Sequence, residues 1–129
     1  MAYVDSRDPA HAACLDLLRR HPGRLVLPVL AIAEAAHLIE RRAGTAAEVR
    51  FLGDLAAGDF VVEAVHPTDW ERIAELVARY RDMALGTVDA SIVAVAERLG
   101  ITRIATLDRR HFTVVRPRHV EAFELPLLR

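Results

Sequence analysis

The chain has 129 residues, enough for one domain with its own hydrophobic core. Its formal net charge of −1, with 27% charged residues, gives no electrostatic sign of a nucleic-acid or membrane surface. All 17 basic residues are arginines, whose planar groups suit phosphate better than the point charge of lysine. Cys14 is the single cysteine, which excludes an internal disulfide and a cysteine zinc site. No signal peptide or apolar run of membrane length is visible, so we expect a cytoplasmic domain that does not enter a membrane.

Helices and short apolar strands alternate along the sequence. Helices are predicted over residues 9–20, 28–42, 45–57, 68–82 and 87–99, and strands over residues 25–27, 60–65 and 103–107, with weaker strand candidates at 114–115 and 123–125. The helix over 68–82 is predicted to begin with a capping box formed by Thr68 and Glu71. This alternation predicts a single domain over residues 1–129 with a three-layer α/β/α fold and a mostly parallel central sheet.

The helix over residues 87–99 has clear end signals and one residue that breaks its apolar pattern. Thr87 is the predicted N-cap, and Gly100 is the predicted stop at the C-terminal end. Asp89 projects from the edge of the apolar face that contains Ile92 and Val93, where an unpaired carboxylate costs desolvation energy. The simpler interpretation is that Asp89 only complements the helix dipole from the first turn.

Two further acidic residues occupy positions where a carboxylate needs an explanation. Glu34 stands between Leu30 and Leu38 on the apolar stripe of its helix. Asp108 follows the predicted strand 103–107, at the strand end where α/β proteins bind ligands. A turn residue is the simpler interpretation of Asp108. Together with Asp89, these acids lie on three elements of a chain without lysine, and they predict an oxygen-rich site that suits Mg²⁺ or Mn²⁺.

Three segments around these acids resemble the motifs of PIN-domain proteins, in particular the VapC-type toxins of bacterial toxin–antitoxin pairs. They are residues 30–35 (LAIAEA), 85–90 (LGTVDA) and 106–112 (TLDRRHF). The resemblance implies a metal-dependent ribonuclease in which Glu34, Asp89 and Asp108 hold Mg²⁺, which orients and activates a water for attack on RNA. It also implies that Thr106 supports this site, and that Asp82 either supports it or ends a helix.

The partners follow from this resemblance alone. They are an RNA substrate (tRNA, rRNA or mRNA), a cognate antitoxin protein and a second copy of the chain in a homodimer. A fourth acid of the family lies on its first strand, and Asp5 either supplies that acid or belongs to the end of the first helix, with the strand upstream of Met1. In the second case, the alternative function is a catalytically impaired PIN-like module that binds antitoxin or RNA without cleaving it.

Other polar residues have both a functional and a simpler interpretation. His111 either helps to position a phosphate near Asp108 or is an ordinary loop residue. Arg109 and Arg110 either grip an RNA backbone, which would make binding salt-sensitive, or form a solvated loop. The Glu-x-x-His spacing of Glu34 and His37 is found in di-iron bundles, but His37 fits a helix surface better.

Overall fold

The computed structural model of this chain describes residues 25–104 and 109–125. These residues fall into two compact units, divided between Ala64 and Val65. The predicted first helix over residues 9–20 and Asp5 lie outside the described residues. The single-domain organisation stays a prediction.

The first unit contains a pair of parallel strands joined by two helices. Its elements are β1 (Leu25–Pro28), α1 (Val29–Ala43), α2 (Thr45–Ala56) and β2 (Phe60–Glu63). Leu25 pairs with Phe60 and Pro28 pairs with Glu63. The predicted strands and helices are therefore confirmed, although β2 ends at Glu63 and not at residue 65. Pro28 is the last strand residue and the N-cap of α1, a place where its missing N–H group is not needed.

The core of this unit forms where α1 meets α2. The buried side chains are Ile39, Ala47 and Phe51, and Leu27 of β1 packs against them. Gly44 separates the two helices with a φ of 87°, a backbone conformation that residues with a Cβ atom rarely adopt. The turn at Gly44 therefore folds α2 back onto α1, as the predicted helix ends require.

The second unit is mainly helical. Its elements are α3 (Pro67–Arg79), a 3₁₀ helix (Arg81–Met83), α4 (Thr87–Leu99) and α5 (Arg109–Phe112). Helix α4 ends at Gly100 in the left-handed conformation, with a φ of 69°, as predicted. The predicted N-cap is wrong, because Gly86 holds that position and Thr87 is already the first helical residue.

The predicted capping box at the start of α3 is also wrong, because the helix begins earlier. His66 is the N-cap, Pro67 is the first helical residue, and the Asp69 carboxylate accepts a hydrogen bond from the His66 N–H group at 2.9 Å. Proline is favoured at this first position because its missing N–H group would have no helical partner. The capping acid is therefore Asp69 and not Glu71.

The last part of the chain contributes a short parallel pairing. Arg103 and Glu124 form an isolated bridge, with Ile104 N–H donating to the Glu124 carbonyl at 2.9 Å. This agrees with the described ends of the two predicted strands, while residues 105–107 lie outside the described residues. The predicted strand at 114–115 is wrong, because the N–H groups of Val114 and Val115 both turn back to the His111 carbonyl.

A buried ion pair joins α3 to α4. The Asp69 side chain is 5% exposed and accepts hydrogen bonds from Arg98, with Arg98 Nη2 to Asp69 Oδ2 at 3.0 Å. Burial is the largest single influence on the Asp69 pKa and raises it. The hydrogen bonds from the Arg98 side chain and the His66 backbone, with the Arg98 charge, outweigh burial and lower the pKa below its ordinary value. The ionised form of Asp69 therefore stabilises the folded chain.

A second charged group ties α4 to α3 and to the segment after α5. The Glu97 carboxylate accepts hydrogen bonds from Arg72 Nε at 2.8 Å and from Arg72 Nη2 at 2.9 Å. Two parallel bonds of this kind suit the planar geometry of the guanidinium. The backbone N–H of Arg118 also donates to Glu97, at 2.8 Å. Burial raises the pKa of Glu97, but these hydrogen bonds outweigh it and lower the pKa. The exposed end of α4 is thereby held from two sides.

Arg98→Ala should lower the free energy of unfolding at pH 7 by about 3 kcal/mol, because it leaves a buried carboxylate without its charged partner. Urea denaturation measures this loss. Arg103→Ala is the matched control, since the side chains of the Arg103–Glu124 pair are 49% and 62% exposed. Its loss should cost less than about 1 kcal/mol. If both variants lost the same free energy of unfolding, the buried Asp69–Arg98 pair would not stabilise the chain more than the exposed Arg103–Glu124 pair.

The stability of the chain should fall as the pH is lowered through the acid range. The pKa values of Asp69 and Glu97 are lower in the folded chain than their ordinary values, so the unfolded chain binds protons first. Their stabilisation is complete above the unfolded pKa values of about 4 and is lost as pH falls through the folded values. Denaturation of wild type and Asp69→Asn measures this. The difference should be largest near neutral pH and shrink in acid, and a constant difference would refute the linkage.

Candidate active site

Asp89 lies in the first turn of α4, which is otherwise buried along most of its length. The side chains of Ala90 and Val93 are 0% exposed, and Ala94 is 3% exposed. Ser91 Oγ donates to the Val88 carbonyl at 2.6 Å, so this buried hydroxyl is satisfied within the helix. The packed face of α4 therefore fixes the backbone that carries Asp89, whose own side chain is 23% exposed.

The Asp89 carboxylate is held by His111. His111 Nδ1 lies 2.7 Å from Asp89 Oδ2, and His111 Nε2 lies 3.1 Å from the Met83 carbonyl oxygen. Both contacts are of hydrogen-bond length, so each nitrogen of the ring has a polar oxygen partner. The contact joins side chains that are only 13% exposed for His111 and 23% exposed for Asp89.

Helix α5 holds His111 against Asp89. Phe112, the next residue, is 2% exposed, and Val115 is 0% exposed, and both belong to the core of the second unit. The His111 carbonyl accepts the N–H group of Val115 at 3.0 Å, which closes the turn after the helix. The backbone of His111 is thus anchored by apolar neighbours, while its ring contacts Asp89 and the Met83 carbonyl.

The other predicted site residues have different surroundings. Glu34 is exposed on α1 in the first unit, and Asp82 is exposed in the middle of the 3₁₀ helix, after the end of α3 at Arg79. Asp108 and Thr106 lie outside the described residues. Within residues 25–104 and 109–125, no group of three or more acidic, histidine or cysteine side chains could hold a metal ion. The predicted metal ligands Glu34, Asp89 and Asp108 therefore stay a prediction. Asp89 is the one of them that the structure describes in the second unit.

An arginine-bearing surface, made of Arg79, Arg81 and Arg116, includes residues just before Met83 in the chain. The Arg79 guanidinium lies 5.7 Å from the centre of the Tyr80 ring, and Tyr80 Oη accepts the backbone N–H of Arg116 at 3.0 Å. Arg79, Arg81 and Arg116 are exposed, and none of them has a carboxylate partner in the part of the chain that the structure describes. Asp82 reduces the net charge of this surface.

Residues 1–116 of the chain match the model of the PIN domain family. The chain belongs to this family. The chain is 35% identical to ribonuclease VapC26 of Mycobacterium tuberculosis over 117 residues. These residues cover 91% of this chain and 87% of that relative. The mixed α/β architecture with parallel strands also matches a crystal structure of VapC20 from Mycobacterium tuberculosis, a toxin that cleaves the sarcin–ricin loop. That match has a TM-score of 0.76 and 24% identity, over 83% of this chain and 82% of VapC20.

These comparisons confirm the predicted α/β fold class and the resemblance to PIN-domain VapC proteins. The structure also corrects one interpretation, since His111 contacts Asp89 in the second unit and is not merely a loop residue. The sequence signal that could have found it is the polar residue beside Phe112, whose apolar side chain indicates a segment packed on the core. None of the helices in the described ranges is long and apolar enough to cross a membrane.

Proposed function

We propose that this PIN-domain protein is a Mg²⁺-dependent endoribonuclease and the toxin of a toxin–antitoxin pair. The observation that carries the proposal is the Asp89 carboxylate, fixed by a buried helix and by the His111 ring. The 35% identity to a ribonuclease over 91% of the chain supports RNA as the substrate. The reaction would be hydrolysis of an RNA phosphodiester bond by water, in tRNA, rRNA or mRNA.

The proposed metal ligands are Asp89, Glu34 and Asp108. Their carboxylate oxygens are the donors that Mg²⁺ or Mn²⁺ prefers, and Asp89 Oδ1 has no hydrogen bond from any described residue. Mg²⁺ supplies Lewis-acid chemistry that withdraws charge from the phosphate and helps to activate the attacking water. We propose Thr106 as a supporting hydroxyl, and Asp82, in the 3₁₀ helix, as either a supporting acid or a residue of that turn alone.

The proposed partners are a cognate antitoxin protein and a second copy of the chain in a homodimer. Both rest on the resemblance to VapC-type toxins, as does a cytoplasmic location. An antitoxin that covers the carboxylates would silence the enzyme without any change in its fold.

Asp89→Asn should reduce Mg²⁺-dependent cleavage of total tRNA and rRNA by at least about 100-fold, because loss of a metal carboxylate removes several kcal/mol of charge stabilisation. The measurement is gel analysis of the RNA products with Mg²⁺ or with EDTA. Glu71→Gln is the matched control, since Glu71 is an exposed acid on α3, and it should cleave like wild type. Cleavage that persists in EDTA or in Asp89→Asn would refute the metal mechanism, and binding of RNA without cleavage by wild type would favour the impaired module.

The arginine-bearing surface next to Met83 is the proposed contact for the RNA backbone. The double variant Arg81→Ala, Arg116→Ala should weaken RNA binding and lower the slope of log affinity against log salt by about 1.4, because each phosphate contact on a single strand contributes about 0.7. Fluorescence anisotropy in the Asp89→Asn background measures binding without cleavage. Arg103→Ala is the control, since Arg103 already pairs with Glu124. An unchanged slope in the double variant would refute this surface as the RNA contact.

A further inference from the structure

We propose that His111 is a positioning residue that fixes the Asp89 carboxylate and leaves one of its two oxygens available for the divalent cation. This inference rests on the proposed function, since it assigns a role to a neighbour of the metal ligand. His111 is not itself a member of the proposed ligand set. The role assigned to its ring is exerted through Asp89.

The first argument is the way the ring is held. His111 Nδ1 contacts Asp89 Oδ2 at 2.7 Å, while Nε2 contacts the Met83 carbonyl at 3.1 Å. With both nitrogens engaged, rotation of the ring would break a hydrogen bond at a side chain that is only 13% exposed. The orientation of Asp89 is therefore set by a group that is itself fixed at two points.

The second argument is the difference between the two carboxylate oxygens. Oδ2 is taken by His111, whereas Oδ1 has no hydrogen-bond partner among residues 25–104 and 109–125. Ligand side chains in metalloproteins are commonly oriented by a hydrogen bond of this kind, and loss of the orienting partner lowers metal affinity about 10- to 100-fold. The geometry assigns Oδ2 to orientation and Oδ1 to the cation.

The third argument separates this role from packing. Phe112 and Val115, which are 2% and 0% exposed, anchor the segment in the core. The His111 ring itself contacts polar oxygens of α4 and of the 3₁₀ helix. Removal of the ring should therefore leave the fold intact while it releases Asp89.

Three substitutions in the full chain separate the two hydrogen bonds. His111→Asn keeps a donor near the Nδ1 position, and so keeps the contact with Asp89. His111→Gln places its donor near the Nε2 position, toward the Met83 carbonyl, and loses the Asp89 contact. His111→Ala loses both contacts, and circular dichroism with thermal unfolding checks that each variant is folded.

The first measurement is Mn²⁺ binding without RNA, followed by calorimetry or by electron paramagnetic resonance. His111→Ala and His111→Gln should bind Mn²⁺ about 10-fold more weakly or worse, while His111→Asn should recover most of the wild-type affinity. The second measurement is RNA cleavage as Mn²⁺ is raised. Excess metal should restore much of the activity of His111→Ala, but not that of Asp89→Asn, which lacks the ligand itself.

The outcomes distinguish this inference from the proposed function. If wild type binds Mn²⁺ and cleaves RNA, and folded His111→Ala binds Mn²⁺ equally well, the positioning role alone is overturned. Equal affinities of the Asn and Gln variants would overturn it too, as would failure of all three variants to fold, which would make the contact a folding requirement. If wild type binds no Mn²⁺, the proposed function fails, and this inference fails with it.

Discussion

The burial of α4 is the constraint on which the second unit depends. A helix rich in alanine and valine can pack closely on its neighbours, but any charge that it carries then loses water and needs a partner. Each charged side chain of α4 has one from another segment. Asp89 meets His111, Glu97 meets Arg72, and Arg98 meets the capping acid of α3. These contacts hold both ends of the helix, and the apolar face holds its middle.

This arrangement gives the two ends of α4 different roles. At the C-terminal end, both oxygens of the Glu97 carboxylate accept hydrogen bonds from Arg72, and the Arg98 guanidinium donates to Asp69. At the N-terminal end, Asp89 has one oxygen engaged and one without a hydrogen bond from the described residues. A carboxylate that is fixed in place with one oxygen without a hydrogen bond can accept a further ligand, whereas the pairs at the other end hold the helix in the fold.

The sequence predicted the elements well because apolar periodicity and glycine are local signals. A few neighbouring residues were enough to predict the strands that begin at Leu25 and Phe60, the turn at Gly44 and the end of α4 at Gly100. The helix starts were predicted less well, since the capping acid of α3 is selected partly by Arg98, 29 residues away. Phe112 is a local signal that the His111 segment packs on the core, but the partner of the His111 ring lies 22 residues away and could not be predicted from a short window. Asp108 and Thr106 lie outside the described residues, and Glu34 was predicted from its place on an apolar stripe.

The three-residue 3₁₀ helix links an exposed arginine to the contact with the His111 ring. Its first residue, Arg81, is exposed, and the carbonyl of its last residue, Met83, holds the His111 ring. A ligand that shifts this turn from outside therefore also shifts the hydrogen bond that sets the carboxylate of α4. If RNA binds this surface and a cation binds Asp89, as proposed, such a shift would link the two affinities, and each ligand would then change the affinity for the other by the same factor.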